Sequence, residues 1–163
     1  MEIIDVTETF FMVKVGELLG AQVESEDRLY LLIRWDKVLF KVRKVRVLGR
    51  INEIRRLSGR SDCLLSDDSG SVIVRVWEEK LHLLEEVREG DIVEVFAYPR
   101  VWEGEIYLSP IIIARRSEQA LERREREIAE VREFLYKLTA KDEDNRLTRM
   151  KGMKSHAAPQ KSE

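Results

Sequence analysis

The amino-acid sequence predicts a mainly β protein: a five-stranded barrel with an N-terminal extension and a long C-terminal α-helix. Between residues 42 and 116, runs rich in Val, Ile and Leu alternate with period two and are separated by turn residues. One short helical stretch interrupts them after the third run. From Ser117 the pattern becomes continuously helical, with no Gly or Pro before Gly152.

Along the chain, "VKVGELLGAQ" reads as a short helix that stops at Gly20, and "RLYLLIRW" as extended structure, both within an extension over residues 1–41 that packs on the barrel. In "VRVLGRI", Val45, Val47, Gly49 and Ile51 share one face, with Arg46, Leu48 and Arg50 on the other. A glycine inside a strand marks a bulge or a sharp bend, which a strand needs if it must serve two sheets. After a turn at "LSGRS" comes "DCLLS". "DDSG" then supplies a tight turn, because Asp and Ser hydrogen-bond their own backbone while Gly accepts positive φ. "SVIVRVW" alternates, with Val72, Val74 and Val76 pointing one way and Ile73, Arg75 and Trp77 the other. Leu81, Leu84 and Val87 recur at helical spacing before Gly90, and "DIVEVFAYP" and "EIYLSPIIIARR" form a second hairpin around "RVWEG". Three strands, a short helix and two strands is the order of the oligonucleotide-binding barrel, or OB-fold, here over residues 42–116.

The long helix is expected over residues 117–141. Leu121, Ile128 and Leu135 lie seven apart, Val131 and Leu138 fill the intervening positions, and Arg124 breaks the first repeat. A stripe this narrow on so charged a helix calls for a partner helix, the alternative being that it folds back on its own barrel. Residues 142–163 are polar and basic and read as a disordered tail.

Composition narrows the function classes. The chain has 163 residues, 44% of them hydrophobic, enough for one sizeable core with appendages. Charged residues make up 37% yet sum to −2, a mixed-sign surface that fits a thermophile. The charge is uneven: residues 1–30 carry seven acidic side chains against Lys14 and Arg28, whereas residues 41–60 carry eight basic ones against Glu53. Cys63 is the single cysteine and reads as a small buried strand residue. With His82 and His156 far apart, nothing supports a zinc site, and no cofactor is called for. No apolar run approaches the roughly 18 residues of a membrane span, and "MEIIDVTETF" lacks the basic start of a signal peptide. A cytoplasmic protein is therefore expected, nucleoid-associated if the source is archaeal. There is no Gly-rich phosphate loop, nucleophile elbow or histidine pair, and Asp67–Asp68 and Glu85–Glu86 have no identifiable catalytic partners, so the expectation is a binding protein and not an enzyme.

"VRVLGRINEI", "DDSGSVIVRVW" and "REGDIVEVFAYPRVWEGEIYLSP", in that order and spacing, resemble the OB-fold of the middle subunit of replication protein A and the related telomere-capping Stn1 proteins. The resemblance covers about residues 42–116 and extends to the helix that follows. The strand motifs recur in several OB families, including tRNA anticodon-binding domains, and the helix favours the replication protein A reading. The resemblance implies a single-stranded DNA-binding subunit of a replication and repair complex, whose C-terminal helix packs with those of other subunits. Two further readings stay open: an OB-fold scaffold or telomere-capping type of subunit that binds protein partners, and a tRNA-binding module.

Sequence-tolerant binding of single strands needs positive charge to follow phosphates and flat aromatics for stacking. OB-folds place these on strands 2 and 3 and in the loops joining strands 1 to 2 and 4 to 5. Those positions map to Arg55, Arg56 and Arg60 in the first loop, Arg75 and Trp77 on strand 3, and Tyr98, Arg100 and Trp102 around the second loop. Each has a plainer reading. Trp77 can pack against the following helix or the N-terminal segment, whereas Trp102, at a hairpin tip before Gly104, is harder to bury. Arg43, Lys44, Arg46 and Arg50 are either a solvated strand edge or phosphate contacts. Trp35 reads as core or barrel cover, and Phe10 and Phe11 as anchors for the acidic N-terminus.

Overall fold

A barrel must close, and here the strand that closes it pairs with two partners in succession. The computed structural model describes residues 1–161, with side chains through 152. In chain order the elements are β1 (Glu2–Asp5), β2 (Phe10–Met12), α1 (Val15–Leu19), β3 (Gln22–Ser25), β4 (Leu29–Trp35) and β5 (Val38–Val42). There follow β6 (Lys44–Leu57), β7 (Arg60–Asp67), β8 (Gly70–Trp77), a 3₁₀ segment (Glu78–Leu84), β9 (Ile92–Trp102), β10 (Glu105–Arg115) and α2 (Glu118–Lys161). β6 runs antiparallel to β9 over residues 45–50 and to β7 over 50–57. β7 continues to β8, β8 pairs in parallel with β10 through Tyr107 and Leu108, and β10 returns to β9. The cycle is a closed five-stranded OB-fold barrel.

The bend that lets β6 change partners sits where the sequence puts a glycine. A Cβ on Gly49 would lie 2.5 Å from the Ser66 carbonyl oxygen, inside any tolerable contact, so the close approach of β6 and β7 requires glycine there. The register then slips between Ile51 and Glu53, a bulge one turn of the pleat beyond the glycine. Inside, Val45, Val47, Ile51, Leu65, Val74 and Val95 are almost fully buried, the alternation the strands predict. Cys63 joins them, and burial pushes its thiol up to about 11, which leaves it an inert apolar residue.

The N-terminal segment builds its own sheet, in the order β1-β5-β4-β3, while β2 adds in parallel to β6. Phe40 is its fully buried centre, with the Phe11 ring 4.8 Å away and Trp35 at 6.2 Å. The acidic turn joins this sheet to the barrel. Asp67 Oδ2 accepts from the Val15 backbone N–H at 2.9 Å, and Ser69 Oγ accepts from that of Gly16 at 2.7 Å. These are orphan donors of the first turn of α1, capped by residues some fifty positions away. Lys14 pairs with Asp68, whose carboxyl is held below its usual range by that hydrogen bond.

The "EEKLHLLEEVRE" segment is 3₁₀ and not α-helical, with Leu84 and Val87 buried and Gly90 at φ 92° turning the chain into β9. The described residues divide into a compact unit through Glu125 and a second from Arg126 onward. The start of α2 belongs to the first. Glu94 on β9, only 1% exposed, receives Arg46 Nε at 2.9 Å, Arg116 Nη2 at 3.0 Å and Arg124 Nη2 at 2.6 Å. Burial alone would raise this carboxyl, but the hydrogen bonds and charges of Arg46 and Arg124 outweigh it and hold it below its ordinary value. Arg50 reaches Glu118 and the Gly90 carbonyl, both at 2.8 Å. Arg124, which breaks the apolar repeat, is therefore an anchoring residue. The helix does not stop near 141, where the sequence reading ends it, but continues to Lys161; residues 142–151 mix Lys and Arg with Asp and Glu at helix-compatible spacings. The last two residues of the expected tail lie outside the described residues.

Two measurements check this account. Gly49→Ala should lower the stability of the barrel by about 1–3 kcal/mol, read as a lower denaturant midpoint at unchanged m-value. Glu94→Gln should cost about 3 kcal/mol near neutral pH, because it strands buried guanidinium charge. Since Glu94 titrates lower when folded than when unfolded, its contribution is complete above the ordinary value of 4.5 and is lost as pH falls through its depressed folded value. The gap between wild type and Glu94→Gln should accordingly narrow in acid denaturation.

Candidate nucleic-acid interface

Alternation along the strands sends one set of side chains outward, and the registers line them up in rows. Arg55, Asp62 and Arg75 stand opposite one another across β6, β7 and β8. In the next row Arg60 faces Trp77, its guanidinium 5.7 Å from the indole centroid. In the row before, Leu64 faces Ile73, which pairs in parallel with Tyr107, which in turn faces Arg100. Arg75 ties the rows together: it makes a two-pronged ion pair with Asp62 at 3.1 and 3.3 Å, and its guanidinium lies 4.9 Å from the Tyr107 ring centroid.

The stripe continues over β9 and β6. Arg100 sits 5.6 Å from the Tyr98 ring centroid, and Phe10 packs against both Tyr98 and Phe96 at 6.4 and 5.6 Å. Lys44 lies over Phe10 and Arg46 over Phe96. Cations and aromatic rings thus alternate around the outside of the barrel, the charged groups 4.8–5.7 Å from the ring centroids. Trp102, 63% exposed, and Trp77, 42% exposed, offer rings at its ends.

The expected site residues fall into three groups. Arg55, Arg60, Arg75, Trp77 and Arg100 share the outward surface, and Trp102 shares the parity of Arg100 on β9. Tyr98 shares it too, and Phe10 packs against its ring. Arg56 faces away: its register partner is Ser61, which belongs to the inward set. The connections are also shorter than expected. Arg55 and Arg56 belong to β6 and Tyr98, Arg100 and Trp102 to β9, with the chain reversing only at Ser58–Gly59 and at Glu103–Gly104, where φ is 52° and 79°. Arg46 and Arg50, left open between solvent and phosphate, are committed to Glu94 and Glu118.

Tyr107 and Asp62 were missed. Tyr107 lies in the plain alternation of "EIYLSP", and only the parallel register of β10 on β8 brings it under Arg75. Of the expected partner helix residues, Leu121 lies in the first unit and lines a cavity with Leu48 and Val13. Ile128, Val131, Leu135 and Leu138 follow in the second unit at spacings that keep them on one helix face.

The barrel and its basic, aromatic surface define an OB-fold nucleic-acid-binding domain, and residues 45–115 match the OB-fold nucleic acid binding domain family of the tRNA anticodon type. The chain belongs to the same family as an 18.7 kDa protein in the ribosomal RNA operon of Thermofilum pendens, with 30% identity over 131 residues, 78% of this chain and 77% of that one. It is also 38% identical over 95 residues to a protein of Methanocaldococcus jannaschii, covering 58% of this chain and 39% of that one. Among solved structures, it matches a chain of a replication protein A heterotrimer bound to single-stranded DNA, with TM-score 0.62 and 15% identity over 78% of this chain and 98% of that one. A chain of the S. pombe Stn1–Ten1 complex matches with the same TM-score and identity, over 81% and 95%. Yeast replication protein A bound to single-stranded DNA follows at TM-score 0.59 and 16% identity, over 77% and 90%. At such identities the likeness is one of fold: this is an OB-fold protein built as replication protein A and Stn1 subunits are.

The geometry separates structural from free side chains. Trp102→Ala should leave the unfolding free energy within about 0.5 kcal/mol of wild type, read from denaturant titration. Arg75→Ala, which leaves largely buried Asp62 without its two-pronged partner, should cost about 1–3 kcal/mol.

Proposed function

We propose that the protein is a non-enzymatic single-stranded DNA-binding subunit of a replication protein A-like complex serving DNA replication or repair. The strand lies across the outward face of β7 and β8 and the projecting β9–β10 hairpin, and α2 serves assembly with other subunits. The single observation that carries the reading is the alternation of cations and aromatic faces from Trp77 through Arg75, Tyr107 and Arg100 to Tyr98. Phosphates need the first and stacked bases the second, while a solvated surface needs no such alternation. The fold supports the same reading, since two of its structural neighbours are chains of replication protein A bound to single-stranded DNA. Phe134 and Leu138, one turn apart on α2, are exposed, apolar surface suited to a second helix.

One observation favours the scaffold reading. Asp62 takes up Arg75 and lies 3.8 Å from Arg60, so part of the positive charge is already balanced. Fluorescence anisotropy with a labelled oligo-dT and a matching duplex, across a salt series, separates the two. The expected result is salt-sensitive preference for the single strand, weakened by about 1–3 kcal/mol in Trp102→Ala. Absence of strand binding at low salt would leave the barrel a scaffold.

A further inference from the structure

The N-terminal segment does more than cover the barrel: with β9 it borders a half-open cavity of about 350 Å³ lined by Ser25, Asp27, Arg28, Arg43, Tyr98 and Arg100. Its arginines come from three separate places, the turn between β3 and β4, the junction of β5 and β6, and the projecting part of β9. Among the described residues, Asp27 is the acidic side chain that lines it, so the walls carry an excess of positive charge. Arg43 Nε is buried with no hydrogen-bond partner among the described residues. That nitrogen has no surface open to the cavity, so what an anion there would meet is the planar donor forks of arginines converging from three elements, the geometry that suits phosphate oxygens. The Tyr98 ring, already beneath Arg100, adds a flat surface beside that charge.

From this juxtaposition we infer that the cavity is a binding site for a phosphate ester, the arginines holding the phosphate and Tyr98 flanking the attached sugar or base. The inference rests on the proposed function for its preferred source. Tyr98 and Arg100 belong both to the cavity and to the outward stripe, so a strand that passes Tyr107 and Arg100 runs on into it. The ligand is then an internal phosphate of the bound strand, and the N-terminal segment lengthens the track beyond the barrel. A free nucleotide offers the same chemistry.

The test uses the full chain and Arg28→Glu, because Arg28 is exposed in a turn, whereas the charge of Arg43 also acts on Asp5. Oligo-dT strands of about 6 and about 20 nucleotides are titrated over a salt series. The expected result is that Arg28→Glu weakens the long strand about tenfold, with a shallower salt slope, and leaves the short strand unchanged. In parallel, dTMP and inorganic phosphate are added during thermal unfolding. If strand binding is untouched but either compound raises the Tm of wild type and not of Arg28→Glu, the site stands and its ligand is a free phosphate ester. If Arg28→Glu changes none of these, the inference is overturned, and continued weakening by Trp102→Ala shows that the barrel reading survives it. If wild type binds no strand at either length, the proposed function fails, and the dTMP and phosphate arm alone decides the cavity.

Discussion

Everything in this protein depends on β6 giving its backbone to two neighbours in turn. A strand has two hydrogen-bonding edges, and in a flat sheet each would serve one partner along its full length. Here β9 uses one edge of the first half and β7 the other edge of the second. That arrangement curls the sheet until β8 and β10 meet. It requires a sharp local bend, and a bend brings backbones together. The contact between Gly49 and the Ser66 carbonyl is that approach, possible because no Cβ intervenes.

Closure then sets the position of everything outside. Because the barrel consumes the inward set of valines and leucines, its outward set is free to carry charge and rings. The outward face does two unlike jobs. Around Glu94 it is a closed polar network, in which Arg46, Arg116 and Arg124 fasten the start of α2 to β9. Around Arg60 and Arg100 it is open, and cations there rest on aromatic faces, while Arg75 between them is mostly buried and paired with Asp62. An arginine satisfied by a buried carboxylate is a structural part, whereas one lying over an exposed ring keeps donors to spare. The distinction separates Arg46 and Arg124 from Arg60 and Arg100.

The acidic turn answers to the same logic. Asp67 and Ser69 cap α1 across a gap of some fifty residues, so a loop that would repel phosphate is turned instead toward the N-terminal segment. Negative charge is spent at a helix start, where unpaired N–H groups favour it. The cap also holds the N-terminal sheet against the barrel, which is what allows Arg28 and Arg43 to stand near Tyr98 and Arg100.

Much of this was legible in the residues themselves. Alternation in "SVIVRVW" and the turn chemistry of "DDSG" are local properties, so strand order, the barrel class and the inward valines could be read directly, as could the glycine of β6. The burial of Cys63 and the exposure of Trp102 also follow from local pattern and turn position. What the sequence could not show were facts of register and of distant pairing. Tyr107 meets Arg75 through a parallel pairing between strands thirty residues apart, and the bulge between Ile51 and Glu53 decides that Arg55 and not its neighbour Arg56 faces outward. Arg124 looks like a flaw in a heptad until Glu94 is found beneath it. Composition and periodicity determine which elements form and which side is greasy; only the tertiary structure decides which charge meets which, because that depends on how strands far apart in the chain are aligned.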